Sequence, residues 1–273
     1  MSFVDALPLD IDALRRLRRE TRFGRDIRYF DSLASTNTTA RELALAGTPE
    51  GVVVIAEAQT RGRGRLGRSW VSPPYRNLYL SVLLRPPLPP AAAPQIALVA
   101  GLSAARAIAA FGATAQVKWP NDVLVDGRKV AGILTEMESD GDRIAAVILG
   151  IGINVNLALD EFPEELRDKA GSVAAALGHS VARHELADRL LSALERDYDL
   201  FCMQGFAALR DDWNRLSCLS GRSVEIADGT RRVAGAVIGL DADGSLLLRA
   251  ADGTQVSVLA GDVTVLDGYG TGR

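Results

Sequence analysis

The sequence predicts an α+β protein: a mixed, largely antiparallel sheet with helices packed on it, followed by a small β-barrel. Three observations carry this. Two consecutive hairpin signals, Asp126-Gly127 and Asp140-Gly141-Asp142, separate apolar runs just beyond a long alanine-rich segment. Leu186, Leu190, Leu191, Leu194 and Tyr198 recur at helical spacing and mark a core stripe. Beyond Gly221 the pattern changes to short apolar runs punctuated by Asp228-Gly229, Asp243-Gly244 and Asp252-Gly253, as in a small barrel.

Taken in order, Ile11, Leu14 and Leu17 among arginines predict an amphipathic helix. Ile27 to Asp31 reads as a strand, and Ser35-Thr36-Asn37 precede a helix that ends at Gly47. Those three small polar residues suit helix capping, and equally suit gripping a polar ligand head. Strands are expected over 51–58 and 78–84, and a helix from about Ala92 to Phe111. Ser103 and Arg106 interrupt that helix too soon for a membrane span. The hairpin strands then cover 123–125, 129–136 and 143–153, with the helices expected on one face of the sheet. The chain should be helical from Pro163 to about Ser217, with barrel strands at 223–227, 232–240, 245–249, 255–259 and 263–266. A domain boundary falls near Leu219 to Gly221, giving domains 1–219 and 220–273.

The 273 residues carry a net charge of −3, which gives no overall bias toward nucleic acid or anionic membrane. Asp5, Asp10 and Asp12 at the N-terminus do not resemble a signal peptide, so the cytoplasm is the expected location. Cys202 and Cys218 form no CxxC pattern, and His179 and His184 have no partner cluster, so no metal site is expected. Of 31 basic residues only Lys118, Lys129 and Lys169 are lysines, and two of them share one short segment. Each is a candidate for chemistry that arginine cannot perform.

The local exception to this even charge is Arg61-Gly62-Arg63-Gly64-Arg65-Leu66-Gly67-Arg68-Ser69-Trp70. Glycines let backbone amides approach an anion, and the arginines stay charged at any physiological pH. The loop should bind a large anion and be mobile without it. Gly62-x-Gly64-x-x-Gly67 fits a dinucleotide fingerprint, and Gly62 to Ser69 nearly fits a Walker A loop. Both need a helix to follow, and Pro73-Pro74 argue against one.

Four segments in fixed order resemble the biotin protein ligases: Ser35-Thr36-Asn37; Glu57-Ala58-Gln59-Thr60 leading into the arginine loop through Trp70; Lys118-Trp119-Pro120-Asn121-Asp122 with Lys129-x-x-Gly132-Ile133-Leu134; and Gly150 to Asn156. The resemblance implies a class II synthetase-like catalytic fold with an SH3-like C-terminal barrel. It implies that ATP and biotin, with Mg²⁺, form biotinyl-5′-AMP, and that biotin then passes to a lysine of a biotin carboxyl carrier domain of a carboxylase. By the same resemblance, Ser35, Thr36, Asn37, Gln59, Arg63, Gly64, Arg65 and Trp70 surround biotin. Gly132 and Leu134 line its tail, with Gly132 leaving room for it. Arg63, Arg65, Arg68, Lys118, Asn121 and Asn154 meet the nucleotide. Lys129 and Arg65 are the implied catalytic cations, and Lys129 bridges the biotin carboxylate and the α-phosphate. Asp122 orients Lys129 or accepts a proton from the carrier lysine. Bifunctional relatives carry an N-terminal helix-turn-helix domain, whereas here the catalytic segments start early, so no DNA binding is expected. A monomer or weak homodimer is expected. A lipoate-protein ligase, with the same adenylation chemistry, is the nearest alternative; a biotin-sensing regulator or a carrier protein fits less well.

Overall fold

Among residues 7–266, which a computed structural model of the chain describes, twelve strands form two sheets and six α-helices pack around them. The first sheet comprises β1 (Ile27–Leu33), β2 (Val53–Gln59), β3 (Leu78–Leu84), β4 (Ala115–Lys118), β5 (Asp122–Val125), β6 (Arg128–Asp140) and β7 (Arg143–Ile153). Its seven strands run in the order β1-β2-β3-β7-β6-β5-β4. Only β1 and β2 pair in parallel, joined through α2 (Thr36–Leu45), and every other pair is antiparallel. Asp126 (φ 50°) and Gly127 (φ 73°) both adopt the left-handed conformation that a two-residue hairpin turn needs between β5 and β6.

Alternation along each strand divides the sheet into two faces. On one, Leu80 and Val82 of β3, Ile133 of β6 and Leu149 and Ile151 of β7 join the main core. That core is completed by α3 (Gln95–Ala109), α5 (Arg183–Gln204) and α6 (Ala207–Leu216). The other face is covered only in part, by Ala40 and Ala44 of α2 over Val54, Leu83, Ala146 and Ile148. Helices therefore lie on both faces, against the expectation of one. The reason is the parallel β1–β2 pair, which demands a crossover, and the small apolar face of α2 finds its own ground on the opposite side. What α2 leaves uncovered becomes the candidate site.

The expected stripe on α5 is in place: Leu186, Leu190, Leu191, Leu194 and Tyr198 are buried. The span from Pro163 to Ser217 is not continuously helical, however. Between a single 3-10 turn at Glu164–Leu166 and the short α4 (Val173–Leu177), the chain pairs with β6 instead. Lys129 N–H donates to Lys169 O (2.8 Å) and Gly171 N–H to Lys129 O (3.0 Å), while Gly178 (φ 78°) stops α4. The segment Pro90–Ala109 is long and apolar enough to cross a membrane, with mean hydropathy 1.4, but 67% of it is buried in the core. Its two polar interruptions are internally satisfied, Ser103 by Asp197 (2.9 Å) and Arg106 by Asp197 (2.6 Å).

The second sheet, β8 (Ser223–Asp228), β9 (Arg231–Leu240), β10 (Leu246–Arg249), β11 (Gln255–Val258) and β12 (Asp262–Val265), is antiparallel in the order β11-β10-β9-β8-β12. It fits a small SH3-like barrel. Its buried residues Val224, Ile226, Val237, Leu246 and Leu248 run on into the main core. Trp119, 2% exposed, pins the two parts together by donating from Nε1 to Gly244 O (3.1 Å).

Candidate active site

The uncovered part of the sheet forms the floor of a cavity of about 400 Å³. Every site residue expected from the sequence lines it, although these residues extend from Ser35 to Asn154 along the chain. Ser35, Thr36 and Asn37 stand at one end, where the chain enters α2, and all three are buried. Capping is not their work, since Ser35 occupies the N-cap position with no side-chain cap bond. Thr36 N–H donates instead to Gln59 Oε1 (2.9 Å), and Gln59 Nε2 to Ser72 Oγ (3.1 Å). Asn37 Nδ2 donates to Glu136 Oε2 (2.7 Å), and Ser81 Oγ lies 2.6 Å from Asn37 Oδ1 and 2.8 Å from Thr36 Oγ1. Gly150 permits this: a Cβ there would stand 2.2 Å from Asn37 Oδ1.

The arginine loop closes over the same cavity as a narrow turn. Gly64 N–H donates to Arg68 O (2.7 Å) and Trp70 N–H to Gly62 O (2.9 Å), while Leu66 (φ 54°) and Gly67 (φ 73°) reverse the chain. No helix follows, which removes the dinucleotide and Walker readings. The loop's arginines are tethered to three different elements. Arg63 pairs with Glu136 of β6 (2.9 Å), Arg65 donates to Asn121 Oδ1 (3.1 Å), and Arg68 pairs with Asp262 at the start of β12. Asn121 in turn donates to Ile133 O (2.8 Å), fixing the hairpin against β6.

Trp70 forms the wall between the two ends. Its indole lies directly on β6 and β7, where a Cβ at Gly132 would come within 2.9 Å of it and one at Gly152 within 2.6 Å. A Cβ at Gly132 would also meet the Lys129 stem, at 3.2 Å, and Gly132 itself lines the cavity. Trp70 Nε1 is buried with no partner, an unused donor beside the cavity. Lys129 Nζ sits 5.4 Å from the centre of the Trp70 ring and 2.6 Å from Asp122 Oδ1, an ion-pair distance without the angles of a hydrogen bond. Lys118 and Leu134 also face the cavity. Asn154, buried, donates from Nδ2 to Gly171 O (3.1 Å), so it holds the β6 neighbour segment as well as lining the pocket.

Several lining or supporting residues were not legible in the sequence. Phe162, Leu166 and Ala170 supply an apolar wall, and Asp262, Val263 and Thr264 bring the second sheet to the rim. Ser81 and Glu136 tie the polar end together. Their signal is present only as parity: Glu136 shares the face of Gly132 and Leu134, and Ser81 is the one polar residue in an otherwise apolar β3 centre. His179 and His184 do not line the cavity, and among the described residues no cluster of His, Cys, Asp or Glu could hold a metal ion.

The arrangement can hold a polar head at one end, a polyanion at the arginine loop, and Lys129 between them. Comparison with known proteins identifies relatives of the whole chain. The model of the Biotin/lipoate A/B protein ligase family matches residues 29–154, and that of the Biotin protein ligase C terminal domain matches residues 219–266. The biotin--[acetyl-CoA-carboxylase] ligase of Paracoccus denitrificans is 38% identical over 81% of this chain and 93% of its own length. The Mycobacterium tuberculosis protein of the same name is 36% identical over 88% and 90%. Among solved structures, the biotin protein ligase of Aquifex aeolicus in complex with biotin and ATP superposes with a TM-score of 0.75 at 30% identity, covering 88% of this chain and 97% of that one.

Proposed function

The chain belongs to the biotin/lipoate A/B protein ligase family, and from that premise we propose that it is a biotin protein ligase that adenylates biotin and passes it to a carboxylase carrier domain. The observation that carries this reading is the cavity's polarity: hydrogen-bonding side chains gather at Thr36 and Gln59, the guanidinium groups of Arg65 and Arg68 at the other rim, and the Lys129 ammonium between. A ureido head, a carboxylate and a nucleotide triphosphate match those three zones in order.

In the first half-reaction a biotin carboxylate oxygen attacks the α-phosphorus of ATP, forming the acyl phosphate bond as pyrophosphate leaves. Two anions must approach, so their repulsion is the barrier the site has to lower. In this reading Lys129 touches both the carboxylate and the α-phosphate, and Asp122, 2.6 Å from its Nζ, orients it. Arg65 and Arg68, with the amides of the loop, face the leaving phosphates. Arg63 is committed to Glu136, so it contributes its backbone near the biotin head more than its charge to the nucleotide. Phe162, Leu166 and Ala170 offer an apolar wall for the base beside Asn154. With no metal cluster of its own among the described residues, the site would receive Mg²⁺ already bound to nucleotide phosphates.

In the second half-reaction the amine of the carrier lysine attacks the acyl carbon, the amide forms, AMP leaves with the bonding pair, and the amine proton passes to Asp122 or solvent. Residues 1–219 constitute the catalytic domain in this reading and 220–273 the barrel. The net charge of −3 gives no overall bias toward nucleic acid, and this reading has the protein act without DNA, as a monomer or weak dimer in the cytoplasm. The test is transfer of labelled biotin to a purified biotin carboxyl carrier domain. Label should appear only with ATP, and should vanish when the carrier's acceptor lysine is changed to arginine. Label that is indifferent to that lysine would contradict a dedicated ligase.

A further inference from the structure

Glu136 lies outside the cavity lining, yet it ties the polar end of the site to the arginine loop, since Asn37 and Arg63 donate to the same oxygen, Oε2, at 2.7 and 2.9 Å. A carboxylate paired with a guanidinium can only accept, so it admits one orientation of the Asn37 amide, with Nδ2 toward Glu136. The flipped amide would set two acceptors 2.7 Å apart. Asn37 Oδ1 is then directed at Ser81 Oγ, 2.6 Å away, and must accept that hydroxyl's only proton. Ser81 is fully buried and has no proton left for its second contact, Thr36 Oγ1 at 2.8 Å. That contact is a hydrogen bond only if Thr36 gives its own proton to Ser81. Gln59 Oε1, the other claimant at 3.3 Å, already accepts Thr36 N–H at 2.9 Å.

We propose that Glu136 is a positioning residue that fixes the proton order Thr36 to Ser81 to Asn37 to Glu136, so that Thr36 presents only lone pairs to the ligand and the pocket selects a head group with N–H donors. The inference rests on the biotin ligase reading and deepens it. The two ring N–H groups of a ureido head satisfy such an acceptor end. A dithiolane head brings sulfurs with no proton to give, leaves the lone pairs of the buried Thr36 Oγ1 without a donor, and is rejected on that account. Reversal of the order would turn the Thr36 proton into the pocket and weaken the choice. Gly150 guards the relay sterically, because any Cβ there would push Asn37 out of it.

The test is a double-mutant cycle on the biotin KM for pyrophosphate exchange, with Glu136→Met, Thr36→Val and the pair. If Glu136 acts through Thr36, each single change raises the biotin KM about tenfold and the double change raises it by no more than that, with the ATP KM little altered. Effects that multiply to about a hundredfold, or a Glu136→Met chain with the wild-type biotin KM, would overturn the relay. Should Glu136→Met fail to fold, Ser81→Ala cuts the same chain one bond nearer the ligand and must show the same non-additivity with Thr36→Val. A wild-type chain with no biotin-dependent exchange would overturn the ligase reading itself, a result distinct from additivity in an active enzyme.

Discussion

Replacing Arg183 by methionine should destabilise the protein far more than the loss of one surface charge would, and should invert its response to acid. Arg183 and Glu57 are 7% and 1% exposed, and the guanidinium meets both carboxylate oxygens, at 2.7 and 3.2 Å. It also holds Asn77 O (2.9 Å) and Leu7 O (2.7 Å), joining β2, β3 and the N-terminal segment. Without it Glu57 keeps only the Leu9 N–H and the Tyr29 hydroxyl, and remains a buried charge. Removal of one partner of such a pair costs about 3–5 kcal/mol, which for a protein of this size lowers Tm by roughly 6–20 °C. Burial works to raise the Glu57 carboxyl, but Arg183, Leu9 and Tyr29 outweigh it and hold it below the ordinary carboxylate range. Its contribution in the native protein is therefore complete above the unfolded carboxylate pKa of about 4.3, and is lost as pH falls through the lower folded value. In the variant burial prevails, the folded carboxyl rises above the unfolded one, and stability should increase on acidification from pH 7 toward 5. Thermal melts of both proteins across that range decide the matter. A variant within about 1 kcal/mol of wild type, or one with the wild-type pH trend, would refute the reasoning.

Three further outcomes are expected at the site. Lys129→Arg keeps the charge, but the Lys129 stem is packed over Gly132 with Nζ already against Asp122, so the larger fork cannot take the same position; biotin-dependent pyrophosphate exchange should fall by about 10²–10³-fold, and a rate near wild type would contradict the bridging role. Gly152→Ala puts a Cβ 2.6 Å from the Trp70 ring, and a rise in biotin KM with about 1–3 kcal/mol of destabilisation should follow; unchanged calorimetric binding and melting would show that Trp70 is not seated there. Arg65→Gly removes the tie to Asn121, so adenylate should escape and label bystander lysines; bystander labelling at the wild-type level would count against a retaining loop.

The elements governed by local chemistry were legible in the sequence. Asp126-Gly127 announces the β5–β6 hairpin because few other pairs tolerate two positive φ values in succession. The barrel strands end at Asp-Gly turns for similar reasons, and the α5 stripe follows from helical periodicity alone. The motif residues of the site could be named because each segment is contiguous in the chain. What stayed hidden depends on which strand lies beside which. Glu136 matters because β6 neighbours β7 and lies under both α2 and the arginine loop, a fact of topology without local signature. The pairing of residues 169–171 with Lys129 displaced an expected helix for the same reason. Arg183 has no local signature among so many arginines, because what makes it matter is Glu57, 126 residues earlier in the chain.

Exchange of labelled pyrophosphate into ATP by the purified chain, with biotin, with lipoate and with neither, shows whether the cavity activates biotin. Exchange that requires biotin, and that lipoate does not support, is the predicted result. Exchange with lipoate in place of biotin, or none with either, would rule out a biotin-activating enzyme.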